Sequence, residues 1–172
     1  MNTPENIKIL VNPEITDTQL FSFYRRNHIC EEGYGKKKAA LPLSHSSLVV
    51  GAFDGDKLVG IARAMFDGLS AVIMEFCLDL AYQGKNLAYE NGSLIGRDDA
   101  GVGKIIGETL QKELFKMGAD FISINIFGEY EADFYKSLGF EPNTGHEVFY
   151  IDKRPYRHDE RYVTKRRRGS KE

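Results

Sequence analysis

Two short pieces of the chain, Gln83-Gly84-Lys85 and Gly101-Val102-Gly103-Lys104, carry residue types that suit an anion, and fifteen residues separate them. The second piece opens a helical period. A helix start presents unpaired N–H groups and the positive end of the dipole. Glycine lets backbone approach a phosphate closely, and Lys104 adds a cation. The pattern alone is equally that of a tight turn. It is not a Walker loop, because Lys104 is followed by Ile105. It is not a dinucleotide fingerprint, because the strand before it closes a meander rather than opening a β-α-β unit.

Carboxylates offer the second chemistry. A strand expected over 70–80, SAVIMEFCLDL, places Val72, Met74, Phe76, Leu78 and Leu80 on one face by period two. Ile73, Glu75, Cys77 and Asp79 fall on the other. Glu75 and Asp79 would stand about 13 Å apart at strand rise and cannot both touch one amine. Glu75, nearer mid-strand, suits the role of proton acceptor, with Asp79 the second carboxylate candidate. Cys77 reads as a small buried residue, since no Cys-His constellation singles it out. The histidines, His28, His45, His146 and His158, are dispersed without ligand spacing, so no metal is expected. His28, at the end of the first helix, is an alternative base.

Those residues need a frame. Residues 6–12 alternate as a first strand, and Asp17 is expected to cap a helix, TQLFSFYRRNHIC. Residues 31–46 read as an irregular piece that could hold a short helix. Strands follow over 47–53 and 57–66, joined by the hairpin signal Asp54-Gly55-Asp56, with a second turn at Asp67-Gly68. Val102, Ile106, Leu110, Leu114 and Met117 recur at helical spacing, and Gly118 is a stop. A strand over 121–127, a helix over 129–140 closed by Gly139, and a last strand over 147–153 complete the order. Strands linked first by hairpins and then by helices predict an α/β fold of the mixed α+β kind: one mixed, mostly antiparallel twisted sheet with helices on both faces.

At 172 residues, 42% apolar and 28% charged, the chain has the composition of a globular protein. No stretch approaches eighteen apolar residues, and MNTPENIKIL lacks the basic and apolar regions of a signal peptide, so a cytoplasmic location is expected. Cys30 and Cys77 are expected to be reduced thiols, and Asn91-Gly92-Ser93 is a loop signal. The net charge of −2 divides into −8 over residues 1–152 and +6 over 153–172. An acidic body attracts cationic partners and repels nucleic acid. The basic tail, 157–172, is expected to be a solvated chain end.

The glycine turn and its helix, the strand order and the segment Phe134-Tyr135-Lys136-Ser137-Leu138-Gly139-Phe140 together resemble the GNAT superfamily of acetyl-coenzyme A-dependent N-acetyltransferases. The resemblance covers roughly residues 47–152 within a single domain over 1–156. The family pattern Gln/Arg-x-x-Gly-x-Gly/Ala is met by Gln83-Gly84-Lys85 followed by Gly101-Val102-Gly103, which makes 86–100 a loop insertion. Without the gap, Asp98 holds the first position beside Asp99, and two carboxylates next to a pyrophosphate are electrostatically unfavourable. The interrupted reading is preferred on that ground. The sequence departs from the family at Gly128, where an Asn is frequent, and at Leu80-Ala81-Tyr82-Gln83, which lacks the frequent Pro and Arg.

The resemblance implies acetyl-coenzyme A as cosubstrate, held by Gln83, Gly84, Lys85, Gly101, Val102, Gly103 and Lys104 at its pyrophosphate. Its pantetheine arm would run along the backbone near Phe76, Cys77 and Leu78. It implies Tyr135 as the acid beside the sulfur, and direct attack by an amine in a ternary complex. Glu75 would then take the proton of an ammonium group whose pKa is about 10. The acceptor would enter past Tyr24, Glu31, Glu32 and Tyr34, acidic and aromatic groups that suit a cationic small molecule, including an aminoglycoside-like antibiotic. A protein or peptide N-acetyltransferase and a non-catalytic coenzyme A-binding module are the alternatives. A homodimer is compatible with all three.

Overall fold

In the computed structural model, which describes residues 6–154, five strands form one sheet in chain order. They are β1 (Ile7–Val11), β2 (Leu48–Asp54), β3 (Lys57–Phe66), β4 (Ser70–Leu78) and β5 (Phe121–Ile124). The first four pair antiparallel, and β5 pairs parallel to β4 from Ser70↔Phe121 to Ile73↔Ile124. Helices α1 (Asp17–Arg26) and α2 (Lys36–His45) cover one face, bracketing a 3-10 turn at Cys30–Tyr34. The other face is covered by α4 (Val102–Met117), with α5 (Ala132–Ser137) beside it. The short helix α3 (Leu80–Gln83) follows β4 directly. The expected architecture is the observed one.

The stripe on α4 explains its place. Val102, Ile106, Leu110 and Leu114 are fully buried against Val50, Ala52, Val59 and Ala62 of the sheet. Burial of such side chains contributes about 1.5–3 kcal/mol each. Gly60 sets the approach: a Cβ there would meet Ile106 Cδ1 at 2.5 Å. Met117 leaves the stripe and is exposed, because the helix ends at left-handed Gly118. On the opposite face, Leu20, Phe23 and Tyr24 of α1 pack on Val49, Phe53, Ile61 and Cys77.

The departures have local causes. Thr16, not Asp17, caps α1: its hydroxyl accepts from Gln19 N while the Gln19 side chain accepts from Thr16 N, a reciprocal capping box. Residues 36–45 form a helix that accommodates Pro42. Strand β4 ends at Leu78 because Asp79 caps α3, accepting from Ala81 N. A register shift opposite Arg63/Ala64 leaves Met74 without a partner residue on β3. This bulge inverts the alternation. Ile73 therefore shares a core with Phe76 and Leu78, while Val72 and Met74 are exposed. The strand expected over 121–127 stops at Ile124, and the helix over 129–140 is a 3-10 turn, Gly128–Tyr130, followed by α5. Residues 147–153 add no strand to the sheet, and Val148, Phe149 and Ile151 are exposed. The tail, 157–172, lies outside the described residues.

Candidate functional site

The two pieces that suit an anion meet in space. Asp99 N donates to Gln83 O at 3.2 Å and Ala100 N to Tyr82 O at 3.3 Å, so the chain leaves at Gln83 and returns to the same point. The group that reaches the start of α4 is Asp98. Its carboxylate accepts from Gly103 N at 3.1 Å and Lys104 N at 2.7 Å, and its carbonyl accepts from Gly101 N. Burial raises the Asp98 pKa, against the lowering effect of these N–H groups. Gln83 is fully buried, and its Nε2 donates to Leu78 O at 3.0 Å while its Oε1 has no partner. Val102 belongs to the core, and Lys104 Nζ pairs with Glu108 at 3.8 Å. Lys85 is exposed, and its carbonyl accepts from Arg97, which also pairs with Asp99.

The same insertion reaches the end of β4. Pairing with β5 stops at Ile73, and beyond it the β5-facing edge of β4 is met by Gly92 instead. Leu78 N donates to Gly92 O at 2.8 Å, and Gly92 N donates to Asn27 O at 2.8 Å. The segment is well anchored. Leu87, Leu94 and Ile95 are buried, and the Glu131 carboxylate accepts from Ile95 N and Phe127 N, both at 2.8 Å. Burial raises the Glu131 pKa. Tyr89 packs edge-on to Phe127 and Tyr130.

Glu75 lies on the α1 side of the sheet. Its Oε1 accepts from the Tyr24 hydroxyl at 2.6 Å and weakly from the Cys77 thiol at 3.5 Å. Its Oε2 accepts from Arg63 Nε at 2.5 Å, across the β3–β4 pair Arg63↔Glu75. The ion pair is withdrawn from water, with side chains 14% and 8% exposed. Burial first, then the Glu75 charge, pushes the Tyr24 hydroxyl far above the ordinary tyrosine range. The Cys77 thiol is raised for the same reasons. The Glu31 charge adds to the rise of both groups, and Tyr24 is the acceptor-side candidate bonded to Glu75. Exposed Glu32 lies 3.8 Å from Arg25, and Tyr34 carries Lys38 over its ring at 5.0 Å.

Tyr135 stands on the other face of the sheet, ringed edge-on by Phe76, Phe134 and Phe140 at 5.0–6.1 Å between centroids. Burial, with smaller contributions from Glu131 and Cys77, raises its hydroxyl well above the ordinary range. It stays protonated and can donate. Asp79 does not share a strand face with Glu75. Beyond the strand end, its Oδ2 accepts from Arg26 Nε at 2.8 Å and lies 3.7 Å from Lys57. His28 is exposed, at a left-handed position ending α1. Among the described residues no cluster of three His, Cys, Asp or Glu could hold a metal ion, and no helix is long and apolar enough to cross a membrane.

Sequence reasoning passed over Arg63 and Asn27, and set Asp98 aside on charge. A lone Arg in the apolar run KLVGIARAMF, opposite a lone Glu in the next strand, was a readable signal. Asn27 was not readable: beside its local bond to Phe23 O, its role rests on two contacts far away in sequence, with Leu80 N and Gly92 N.

No family model and no curated protein matches the chain. Solved structures do resemble it. A Staphylococcus aureus protein of unknown function, titled a probable acetyltransferase, is 19% identical over 85% of this chain and 98% of its own, with a TM-score of 0.63. A GNAT-family acetyltransferase of Streptococcus pneumoniae is 22% identical over 86% and 99%, with a TM-score of 0.59. An aminoglycoside acetyltransferase from an uncultured soil metagenomic sample, solved with sisomicin, is 15% identical over 86% and 97%, with a TM-score of 0.54. The fold of this chain is therefore that of the GNAT acetyltransferases.

A diphosphate does not fit the donors as they are arranged here. The N–H groups of Asp99, Ala100, Gly101, Gly103 and Lys104 are all spent within the chain. A Cβ on Gly103 would meet the Asp98 carboxylate at 3.2 Å. Leu78 N, where the resemblance puts the thiol-bearing arm, is spent on Gly92.

Proposed function

We propose that this chain is an N-acetyltransferase acting on a primary amine of a cationic small molecule, with acetyl-coenzyme A as the acyl donor. The observation that carries this reading is the Glu75 carboxylate, held mid-strand beneath α1 by Tyr24 and Arg63 on a GNAT fold. A carboxylate offers about four lone-pair directions. Tyr24, Cys77 and Arg63 take three of them. The fourth suits an ammonium proton. Arg63 and Tyr24 are positioning residues that fix the carboxylate, and Glu31 adds negative charge that favours a cation. On this reading Asp79 is a strut joining α1 to the end of β4, and Tyr135 is the proton donor. The sisomicin complex of the soil-derived enzyme supports an aminoglycoside-like acceptor, as does the acidic body of this chain.

The test is thiol release from acetyl-coenzyme A with a panel of amines at low salt. Polycationic amino-sugars and polyamines are expected to turn over faster than neutral amines. Glu75→Gln is expected to cost about 10²-fold in kcat near pH 7, the usual size of a lost general base. The loss should shrink toward pH 10, where about half of the amine is already deprotonated. Binding of the donor without turnover of any amine would favour a non-catalytic module, and a Glu75→Gln loss independent of pH would remove Glu75 as the base.

A further inference from the structure

We propose that segment 86–100 is an internal competitor lying in the place of the acyl carrier, which binds only by displacing it. This rests on the acetyltransferase reading. Coenzyme A presents amide groups along its arm and then a diphosphate. The segment presents the same chemistry in the same order. The Gly92 backbone bridges Leu78 N and Asn27 O by two hydrogen bonds of 2.8 Å, as an amide-bearing arm would pair with an unpaired strand edge. Six residues later the Asp98 carboxylate sits on Gly103 N and Lys104 N, as an anion sits on a helix start.

The two contacts are independent and belong to different elements, β4 and α4. Each satisfies a group that the carrier would otherwise satisfy. The buried Leu87, Leu94 and Ile95 hold the segment in place, so the carrier's affinity is reduced by the cost of releasing it. Both ends carry a glycine at positive φ, Gly84 at 131° and Gly101 at 72°. The closed arrangement also leaves Gln83 Oε1 buried without a partner, which lowers the cost of leaving it.

Coenzyme A titrated calorimetrically into the full chain and two variants tests this. Asp98→Asn keeps a capping oxygen and removes the anion. Gly92→Ala puts a Cβ 2.8 Å from Asn27 Cβ and 3.0 Å from Leu78 O, which pushes the segment out of the strand edge. Both are expected to bind coenzyme A at least about tenfold tighter than the parent chain. Saturating coenzyme A should make 86–97 cleavable by protease in the parent chain, a readout that needs no turnover. Equal affinity in all three proteins overturns the competitor and leaves the acyl-carrier reading standing. Absence of binding to any of them, with both variants folded by circular dichroism, overturns both.

Discussion

Arg63→Met is expected to lower the unfolding free energy by about 3–5 kcal/mol, because it leaves the Glu75 carboxylate buried without its cation. The pair is 14% and 8% exposed, and Glu75 keeps only hydroxyl and thiol donors once Arg63 is gone. Urea unfolding at pH 7 reads the loss directly. Combining it with Glu75→Gln removes the uncompensated charge, so the double variant should recover more than half of the loss. A single variant as stable as the parent would mean that water reaches Glu75 freely. That would also weaken the case for Arg63 as a positioning residue.

The second large effect is alkaline. Tyr24 and Tyr135 both have hydroxyls raised far above the usual range, chiefly by burial. The sign follows from linkage. A raised folded-state pKa leaves the native chain protonated while the unfolded chain ionises near pH 10, so this stability is intact below about pH 10 and lost above it. Each tyrosine contributes a slope of about 1.4 kcal/mol per pH unit, and together they contribute about 2.7. Buried Cys77, raised in the same way, adds to the loss from about pH 8.5 upward. Denaturant unfolding from pH 8 to 11.5 should show the decline, and the pair Tyr24→Phe/Tyr135→Phe should flatten it. Ordinary lysine titration alone would leave both proteins with the same slope.

The frame of this molecule was legible because its signals are periodic. The stripe from Val102 to Leu114 gave α4 its buried face, and the turns at Gly55 and Gly68 fixed the meander. The site was legible only in part, because its decisive features are not periodic. One extra residue at Met74 moved Ile73 to the Phe76 face, and no propensity marks such a bulge. Asp79 reads as a strand residue until its capping bond to Ala81 N is seen. The charge argument that counted against Asp98 at the glycine turn was physically sound for a bound diphosphate. It did not allow for a carboxylate that serves as the anion itself. The two glycine pieces are stitched together at Gln83 and Asp99, yet the span between them is packed against the end of β4 rather than set aside from it.

The most direct test of the account is amide hydrogen exchange, resolved by residue, with and without saturating acetyl-coenzyme A. The account predicts faster exchange across 86–97 as the segment leaves, with Gly103 and Lys104 kept protected because one anion replaces another at the start of α4. Tight binding that leaves 86–97 unchanged, or slows it, would contradict the account: the carrier would then be held elsewhere, and Asp98 would be a helix cap and nothing more.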